Sequence, residues 1–420
     1  MGAKSWKCQQ SHIREQCVFR KAAGSDKLYS ATMTKIFFQL AAYLFALLAL
    51  CGLGYLLLSL WSEWRFLARR IAARARTTGA FAPPISILKP LRGTDRQMYE
   101  SFRSHCLQDY PRYEIIFGVN EASDEAVADV ERLRREFPAH DIRLIVCSEA
   151  LGSNRKVSNL SQMMKEAKYQ HVVINDSDIR VGSDYLRRIV APMEDERVGL
   201  VTALYRAEAG GSIASRMEAI TIATDFAGGV LCAMELEGGL HFGLGSTLAF
   251  TRTAAEAIGG LAALLDYLAD DHELGRMIGE AGYKIVLSDV VVETFLPEYN
   301  FGAMFEHQLR WARTVRDLRK FGYIGVLLTF GLPWAIAAAL FAGGAGWSIV
   351  LLAAVTVARF ASGYLLCGPI LNDGQTLQDL WLIPARDVVG VAIWFASFGG
   401  DTIVWRGERF HLKDGKLTRA

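Results

Sequence analysis

The sequence predicts an α/β domain with a mixed, mostly parallel sheet, flanked at both ends by transmembrane helices. Apolar strands alternate with helices between residues 83 and 320, a pattern typical of parallel sheets built by crossover connections. Two long runs without any charged residue, 36–60 and 321–358, lie outside this region. A helix that spans a bilayer needs about 20 apolar residues. The chain is therefore predicted to be an integral membrane protein.

The N-terminal part divides into a polar tail, 1–35, and a first transmembrane helix, 36–61. The segment after this helix, 65–76, reads "RFLARRIAARAR" and carries five arginines. Because short basic flanks face the cytoplasm, the adjoining middle domain, 80–320, is predicted to be cytoplasmic, which is the inner-membrane face if the protein is bacterial. The tail itself carries seven Lys and Arg residues, which conflicts with this orientation. A translation start at Met33 would remove the conflict.

The middle domain contains four predicted strands, which are apolar or β-branched runs bounded by Pro, Gly or Asn. They are 84–91, 113–120, 141–147 and 171–176. A segment with helical periodicity, 95–108, connects the first two strands, and an amphipathic helix with a Ser/Asp cap follows the second. Polar segments follow three strands, with the sequences "NEASDEA", "SEALGSNRKVSN" and "NDSDIRVG". Ligands of open α/β sheets bind beyond the carboxyl ends of strands, so these segments predict one site.

The C-terminal region, 321–405, is predicted to hold transmembrane or interfacial helices, followed by a tail, 406–420. The uncharged part of its last apolar stretch is short for a span, which suggests a re-entrant or interfacial segment. Arg359 lies near the middle of one predicted span, where pairing with Asp387 and snorkelling to the interface are equally open. The apolar stretches are 321–342, 347–371 and 388–404.

Composition and missing motifs exclude several functions. The net charge of +2 gives no indication of a nucleic-acid partner. The seven cysteines show neither a CxxC pair nor zinc-ligand spacing, which is typical of reduced thiols in the cytoplasm. The sequence has no GxxxxGK[ST] motif and no complete GxGxxG after a strand, so neither a P-loop nor a dinucleotide-binding fold is predicted.

A pair of aspartates, Asp176 and Asp178, ends the fourth predicted strand. Carboxylate oxygens suit Mg²⁺ or Mn²⁺, and these cations also bind substrate phosphates. The structural alternative is that Asp178 caps the following turn while Asp176 pairs with Arg180. Taken alone, the pair leaves both interpretations equally open.

Two later motifs also carry charged residues typical of an active site. The sequence "LADDHELG", 268–275, has adjacent carboxylates, one of which could act as a general base. The structural alternative is that these acidic residues begin a solvated helix. The sequence "FEHQLRWARTVR", 305–316, has an arginine at every third position on one side of a helix, with Trp311 beside them. A juxtamembrane basic helix anchored by an aromatic residue explains the same pattern, and both interpretations can hold together.

These motifs, in this order and spacing, resemble membrane-bound family 2-type and family 21-type glycosyltransferases. The closest likeness is to ceramide glucosyltransferases and their bacterial relatives, including hopanoid-biosynthesis glycosyltransferases. It covers roughly 85–319 and the flanking spans, and it implies a GT-A nucleotide-sugar-binding fold. The motifs that carry it are "ISILKPLRG", the aspartate of "EASDEA", "GSNRKVSNL", "NDSDIRV", "ADDHE" and the HxxRW of residues 307–311.

The resemblance implies a donor-binding set and a metal pair. Asp124, with Lys89 nearby, would hold the uracil or ribose end of a UDP-sugar, and Lys156 and Asn159 would contact the diphosphate or ribose. Asp176, together with Asp178, would bind the Mg²⁺ or Mn²⁺ that bridges the diphosphate. The donor-binding residues are Lys89, Asp124, Lys156, Asn159 and Asp176.

The resemblance also implies the catalytic residues. Asp271 would take the proton from the acceptor hydroxyl as it attacks the anomeric carbon, which inverts that centre. Arg310 and Trp311 would close over the diphosphate. Two positions depart from the family pattern: Asp178 stands where ceramide glucosyltransferases tend to have glycine, and His307 where the motif usually begins with Gln or Arg. The role of His307 therefore stays open.

The predicted function is metal-dependent, inverting transfer of a hexose, either glucose or N-acetylglucosamine, from a UDP-sugar to the hydroxyl of a membrane lipid of the ceramide or hopanoid type. The glycine-rich segment 238–250 could support the lipid or be a β-hairpin of core residues. A processive polysaccharide synthase is the alternative enzyme, but more spans and a Gln at position 307 would be expected. A non-catalytic lipid-binding scaffold with a GT-A fold would be expected to have lost one of the motif aspartates, but Asp124, Asp176 and Asp271 are all present.

Overall fold

The computed structural model describes residues 3–76, 81–405 and 408–419, with side chains described for 32–71, 81–404 and 408–418. Most of the expected polar tail, 1–35, thus lies outside the residues described in full, and a start at Met33 stays a prediction. The chain divides into two compact units. One contains the residues up to Gly54 together with Leu328–Val357, and the other contains Tyr55–Leu327 together with the residues from Ala358 onward.

The secondary structure follows the alternating order expected for an α/β chain. The strands are β1 Ile85–Pro90, β2 Tyr113–Val119, β3 Asp141–Val146, β4 His171–Ile174, β5 Val198–Glu208, β6 Leu248–Thr251, β7 Lys284–Phe295, β8 Thr402–Trp405, β9 Glu408–Lys413 and β10 Lys416–Arg419. The helices up to the last long strand are α1 Ala3–Arg76, α2 Met98–Cys106, α3 Ala126–Glu136, α4 Arg155–Glu166, α5 Tyr185–Val190, α6 Ile213–Ile220, α7 Ala227–Leu236, α8 Arg252–Glu256 and α9 Asp270–Glu280.

The later helices are α10 Phe301–Leu318, α11 Lys320–Gly325, α12 Gly331–Phe341, α13 Gly346–Leu365, α14 Gly374–Gln378 and α15 Ile383–Ser397. Two π-helical segments, Thr221–Phe226 and Leu366–Ile370, continue neighbouring α-helices. Short 3₁₀ turns complete the set at Ala191–Glu194, Leu261–Leu264, Val326–Thr329 and Leu380–Leu382.

Seven strands form one mixed sheet in the order β3-β2-β1-β4-β6-β5-β7. Only β6 runs antiparallel to its neighbours, and the other strand pairs are parallel. The four predicted strands are confirmed, and β1, β2 and β4 are buried along nearly their whole length, because parallel strands are covered on both faces. The predicted α/β fold with a mixed, mostly parallel sheet is therefore confirmed.

The apolar helix Ile213–Leu236 connects β5 to β6 and lies along the sheet. At its start, the Ser215 hydroxyl donates to the carbonyl of Pro297, just beyond the end of β7. After its end, Leu240 pairs with Ile285 at the beginning of β7. The two ends of this helix are thus held at opposite ends of the same strand. Its midpoint packs on the sheet, where the ring of Phe226 lies 5.1 Å from that of Tyr205.

The residues after α15 differ from the sequence expectation. The apolar stretch 388–404 divides into the end of α15 and strand β8, and β9 and β10 lie where a tail was expected. These three strands form an antiparallel sheet in the order β10-β9-β8, here called the C-terminal sheet. It is held by a cluster of buried apolar residues, which are Leu268, Ile403, Phe410, Leu412 and Leu417.

Within the described residues, four helices are long and apolar enough to cross a membrane, and five if one bent pair counts as a span. The four are Thr32–Ile71, Ile213–Leu236, Gly346–Ile370 and Leu380–Ser397, and the bent pair is Lys320–Thr329 with Gly331–Phe341. Helices expected from 36–61 and 347–371 are among them, whereas Ile213–Leu236 was not predicted as a span.

In the first unit, α1 and α12 approach closely at two glycines. A Cβ built on Gly52 would lie 2.3 Å from the Cα of Gly331, a distance at which something must shift. The neighbouring ring of Phe45 stacks on Trp334 with centroids 5.9 Å apart. By contrast, a Cβ on Gly54, one half-turn further along α1, meets nothing within 4 Å. The contact between these helices therefore depends on the glycine at position 52.

This contact predicts opposite effects for two similar substitutions. Gly52→Ala is expected to destabilise the protein by about 1–3 kcal/mol through overpacking against Gly331. Gly54→Ala is expected to be neutral or to stabilise by about 0.5–1 kcal/mol, because alanine is the better helix former. Thermal unfolding in detergent measures both changes, and equal effects of the two variants would contradict the helix contact.

Candidate active site

A cleft opens beyond the carboxyl ends of β1, β2 and β4. Leu91 and Arg92 after β1, Asn120 after β2 and Asp176 after β4 contribute to its walls. The start of α4 adds Lys156 and Asn159, and that helix is fixed by Asn154, whose side chain accepts from the amide of Val157 at 3.1 Å. Residues from the three predicted polar segments, which follow β2, β3 and β4, thus line one cleft.

Lys156 joins two of the predicted aspartate motifs. Its Nζ lies 2.7 Å from Oδ1 of Asp176 and 3.6 Å from Oδ2 of Asp270. Burial opposes the charged form of Lys156, but the charges of Asp176, Asp270 and Asp271 together raise its pKa above the ordinary value. Burial raises the pKa of Asp270 to about 6, an effect that the Lys156 charge opposes. The lysine therefore compensates a group of carboxylates at the floor of the cleft.

Of the structural alternative for the aspartate pair, the pairing of Asp176 with Arg180 is not formed. The Asp176 side chain is 40% exposed and pairs with Lys156, while Arg180 pairs with Glu208 and Glu293. Asp178 points to β7, where its Oδ2 accepts from the hydroxyl of Thr294. Burial, with a contribution from the charge of Asp176, raises the pKa of Asp178 to about 6.

Lys89 lies beneath the cleft. It is fully buried in β1, and its Nζ donates to the backbone carbonyl of Asp176 at 2.9 Å. Burial lowers the pKa of Lys89 to about 7, although the charges of Asp178 and Asp176 oppose this. In this structure Lys89 supports the turn that carries the aspartate pair, and does not reach the surface to which a donor has access.

Asp124 and Asn159 have different surroundings. Both carboxylate oxygens of Asp124 accept from the amide of Gly93, at 3.0 and 3.1 Å, and Oδ1 also accepts from the amide of Ala126 at 2.9 Å. Asp124 thus ties the loop after β1 to the start of α3. Asn159 is 3% exposed and lines the cleft one turn after Lys156.

Asp271 begins α9 and packs against the glycine-rich segment 238–250. Its carbonyl accepts from the amide of Gly243 at 3.2 Å, and a Cβ on Gly245 would lie 3.0 Å from its Oδ2. The glycine at position 245 thus leaves room for the Asp271 carboxylate. The segment forms a tight turn, with an antiparallel bridge between Leu244 and Thr247, that contacts Asp271 and continues into β6.

Helix α10 carries His307, Arg310 and Trp311, and its motif is fixed by a residue that was not predicted. The fully buried side chain of Glu218 lies 3.0 Å from Nδ1 of His307 and accepts from Nε2 of Gln308 at 2.8 Å. The ring of His307 stacks on Tyr299 and lies 5.3 Å from that of Trp311. A lone acid in the apolar run "IASRMEAITIAT" is the sequence signal that could have found Glu218.

The arginines of α10 differ in their surroundings. Arg313 donates to the carbonyl of Thr402, and Arg316 donates to that of Gly400 at 3.0 Å and pairs with Asp401. These two arginines hold the beginning of the C-terminal sheet. Arg310 lies near Tyr299. Burial raises the pKa of Tyr299, and the charge of Arg310 partly opposes this effect.

Tyr205 on β5 lies between the two parts of the site and was also missed. Burial, followed by the charges of Asp271 and Glu218, raises its pKa well above the ordinary value. Its ring contacts Phe226, which in turn lies 5.9 Å from Trp311. Tyr205 therefore connects the aspartates of the cleft with the aromatic residues of α10. Its position in a strand of mixed composition offered no sequence signal.

A buried ionic cluster joins the helix Ile213–Leu236 to the C-terminal helices. Arg359 makes a two-point contact with Asp387, at 2.9 and 3.0 Å, and lies 2.8 Å from Asp225. Arg386 pairs with the same two aspartates and donates to the hydroxyl of Thr221 at 3.1 Å. Of the two possibilities left open for Arg359, the structure has the pairing with Asp387.

Sequence comparison defines the class of this protein. The chain belongs to Glycosyl transferase family 21, whose model matches residues 44–418. The match covers the cleft, the α10 motif and the C-terminal sheet. The family resemblance inferred from the motifs is confirmed, and so is the prediction that this protein is a glycosyltransferase.

Individual relatives have low sequence identity to this chain or align with only part of it. Ceramide glucosyltransferase 3 of Caenorhabditis elegans is 25% identical over 350 residues, which cover 79% of this chain and 73% of the relative. Ceramide glucosyltransferase 1 of the same organism is 23% identical over 359 residues, covering 80% and 73%. The ceramide glucosyltransferase of Komagataella phaffii is 34% identical, but over only 25% of this chain.

Solved structures that this chain is similar to include the following two. A mannosyltransferase from Pyrobaculum calidifontis, in complex with GDP-Man and Mn²⁺, has a TM-score of 0.47 and 19% identity, and it aligns with 84% of this chain and 99% of its own. S. aureus TarS in complex with UDP-GlcNAc has a TM-score of 0.37 and 12% identity, with 80% of this chain and 99% of its own covered.

The Glu218 contacts predict a stability effect. Glu218→Ala leaves buried donors of His307 and Gln308 without their acceptor, which is expected to cost about 1–3 kcal/mol for each unsatisfied group. Glu256→Ala, at an exposed position in α8, serves as the matched control and is expected to change little. Thermal unfolding measures both, and the account of α10 is wrong if the two variants unfold alike.

Proposed function

We propose that this protein transfers a hexose, glucose or N-acetylglucosamine, from a UDP-sugar to the hydroxyl of a membrane lipid of the ceramide or hopanoid type. The observation that carries the proposal is the Lys156 bridge between Asp176 and Asp270, which brings a cation and the predicted donor and base motifs into one cleft. Membership of Glycosyl transferase family 21 and relatives named ceramide glucosyltransferases support the reaction class and the substrates.

The donor would lie across the ends of β1, β2 and β4. Asn120, Asn159 and Arg92 surround the cleft and offer polar contacts to a nucleoside diphosphate. Lys156 would contact the diphosphate through its ammonium group, and the exposed carboxylate of Asp176 lies directly beside it. Asp124 would shape the nucleoside end by holding the loop at Gly93.

The aspartate pair fits a divalent cation of the Mg²⁺ or Mn²⁺ type. Asp176 presents an accessible carboxylate at the cleft, and Asp178, whose Oδ2 now accepts from Thr294, would add a second by turning away from β7. Throughout the described ranges, no group of three or more His, Cys, Asp or Glu residues has metal-binding geometry. Two carboxylates suffice for Mg²⁺, which completes its shell with substrate phosphates and water. When bound, such a cation would stabilise negative charge on the departing diphosphate.

Asp271 would act as the general base toward the acceptor. It lies at the start of α9, beside Gly245, and one residue from the Asp270 that pairs with Lys156. A single displacement needs one base and a stabilised leaving group, and it inverts the anomeric centre. Arg310 and Trp311, held on α10 through His307 and Glu218, would cover the diphosphate end.

The lipid acceptor would approach along the apolar helix Ile213–Leu236. This helix packs on the sheet beside Tyr205 and carries exposed apolar side chains at Ile213 and Leu236. It is also tied to helices that are apolar enough to cross a membrane through Asp225, Arg359 and Asp387. We infer a multi-pass membrane protein with a cytoplasmic catalytic domain, because the basic segment 65–76 follows the first span.

Two substitutions separate donor binding from catalysis. Asp176→Asn is expected to weaken UDP binding in the presence of Mn²⁺ and to abolish transfer, because it removes the accessible carboxylate. Asp271→Asn is expected to lower turnover by about 100-fold or more while UDP affinity stays unchanged, because a general base does not hold the nucleotide. Transfer of radiolabelled sugar to lipid and calorimetric titration with UDP measure the two properties.

Asp109→Asn is the matched control, since that side chain is 78% exposed and lies away from the cleft. It is expected to leave both properties unchanged. Near-normal turnover of Asp271→Asn would show that another group is the base.

A further inference from the structure

The C-terminal sheet is joined to the loop that precedes the predicted base. The amide of Leu417 donates to the carbonyl of Asp266 at 2.8 Å, and that of Leu268 donates to Gly415 at 3.0 Å. Tyr267 forms a β-bridge with Lys416. The outer strand β10 therefore pairs with residues only a few positions before Asp270 and Asp271.

The same sheet is also joined to α10, which carries the predicted Arg310 and Trp311. Asp317 accepts from the amide of Gly415 at 2.5 Å, and Lys320 pairs with Asp414 at 3.0 Å. Arg313 and Arg316 hold the chain just before and within β8. Gly415 has a φ of +77° and fits tightly beside Tyr267 and Leu318, so the β9–β10 turn requires glycine there. The sheet is thus fixed on two sides.

The central strand β9 faces the cleft. Glu408, Phe410 and Leu412 alternate along this strand and so share one face. Glu408 and Phe410 line the cleft opposite Asn159 and Asp176, whereas Leu412 packs only in the apolar cluster around Leu268. The face of β9 thus begins at the cleft and ends in the core of the sheet.

Building on the proposed function, we propose that the C-terminal sheet is part of the donor site, with Phe410 as the apolar wall against the nucleoside of the UDP-sugar. Aromatic side chains bind bases through their faces and edges without reading sequence, and the cleft offers Phe410 as an aromatic residue among polar groups. Phe410 is 4% exposed, so its ring is held in place before a ligand arrives.

Glu408 completes this wall at the mouth of the cleft. It lies 3.9 Å from Arg92, and the two side chains are 44% and 41% exposed. An exposed ion pair at this distance contributes little to stability. In the proposed complex, Arg92 would contact the diphosphate of the entering donor, and the carboxylate of Glu408 would face the hydroxyls of the ribose.

The matched variants Phe410→Ala and Leu412→Ala test the assignment. Both remove an apolar side chain from the same face of β9 and from the same cluster, where the two residues are 4% and 5% exposed. Phe410→Ala is expected to raise the Kd for UDP, measured by calorimetry with Mn²⁺, by about fivefold or more, because a base–aromatic contact is lost. Leu412→Ala is expected to lower the melting temperature while the Kd for UDP stays unchanged.

A third variant, Phe410→Leu, keeps most of the cluster packing and removes only the ring. It is expected to melt close to the unmodified protein and still bind UDP more weakly. Equal UDP affinity of Phe410→Ala, Phe410→Leu and the unmodified protein would overturn the assignment of Phe410. Absence of UDP binding by the unmodified protein would instead contradict the proposed function, so the two failures are distinguishable.

Discussion

The bridge from Lys156 to Asp176 and Asp270 is the interaction on which the cleft depends. It connects the end of β4, the start of α4 and the start of α9 through a side chain that is only 20% exposed. Without this cation, several carboxylates would face one another in a partly buried site, and breaking a buried pair typically costs about 3–5 kcal/mol. The same ammonium group is the one that an incoming diphosphate would meet. The bridge thus compensates the carboxylates of the cleft, and in the proposed reaction its ammonium group would also face the donor.

The other parts of the site are arranged around this cleft by contacts between distant segments. Glu218 fixes the motif on α10 through His307 and Gln308. The C-terminal sheet fixes the opposite end of α10 and the loop before Asp271. Both sets of contacts lie outside the strands that carry the aspartates, and both hold α10 in position. The proposed chemistry would therefore depend on a few side chains that distant segments of the chain keep in position.

Sequence reasoning predicted those parts whose signal is local. Strands β1, β2 and β4 are largely apolar runs, because buried parallel strands require them, and the polar segments after the strands predicted the cleft. Strand β7 was missed because Ser288 and Asp289 interrupt its apolar run, and β9 because "ERFHLK" is short and alternating. Pairings such as Glu218 with His307 join residues 89 positions apart, and no local pattern encodes such a contact. Lys89 was predicted from the motif, but only the fold shows that it lies beneath the cleft.

The proposed transfer of a sugar to a membrane lipid can be tested by mass spectrometry of lipid extracts from two hosts. One host produces the unmodified protein and the other produces the Asp271→Asn variant. We expect a hexosyl or N-acetylhexosaminyl lipid that is present only with the unmodified protein. Identical lipid extracts, with or without a new polysaccharide in the water-soluble fraction, would contradict it.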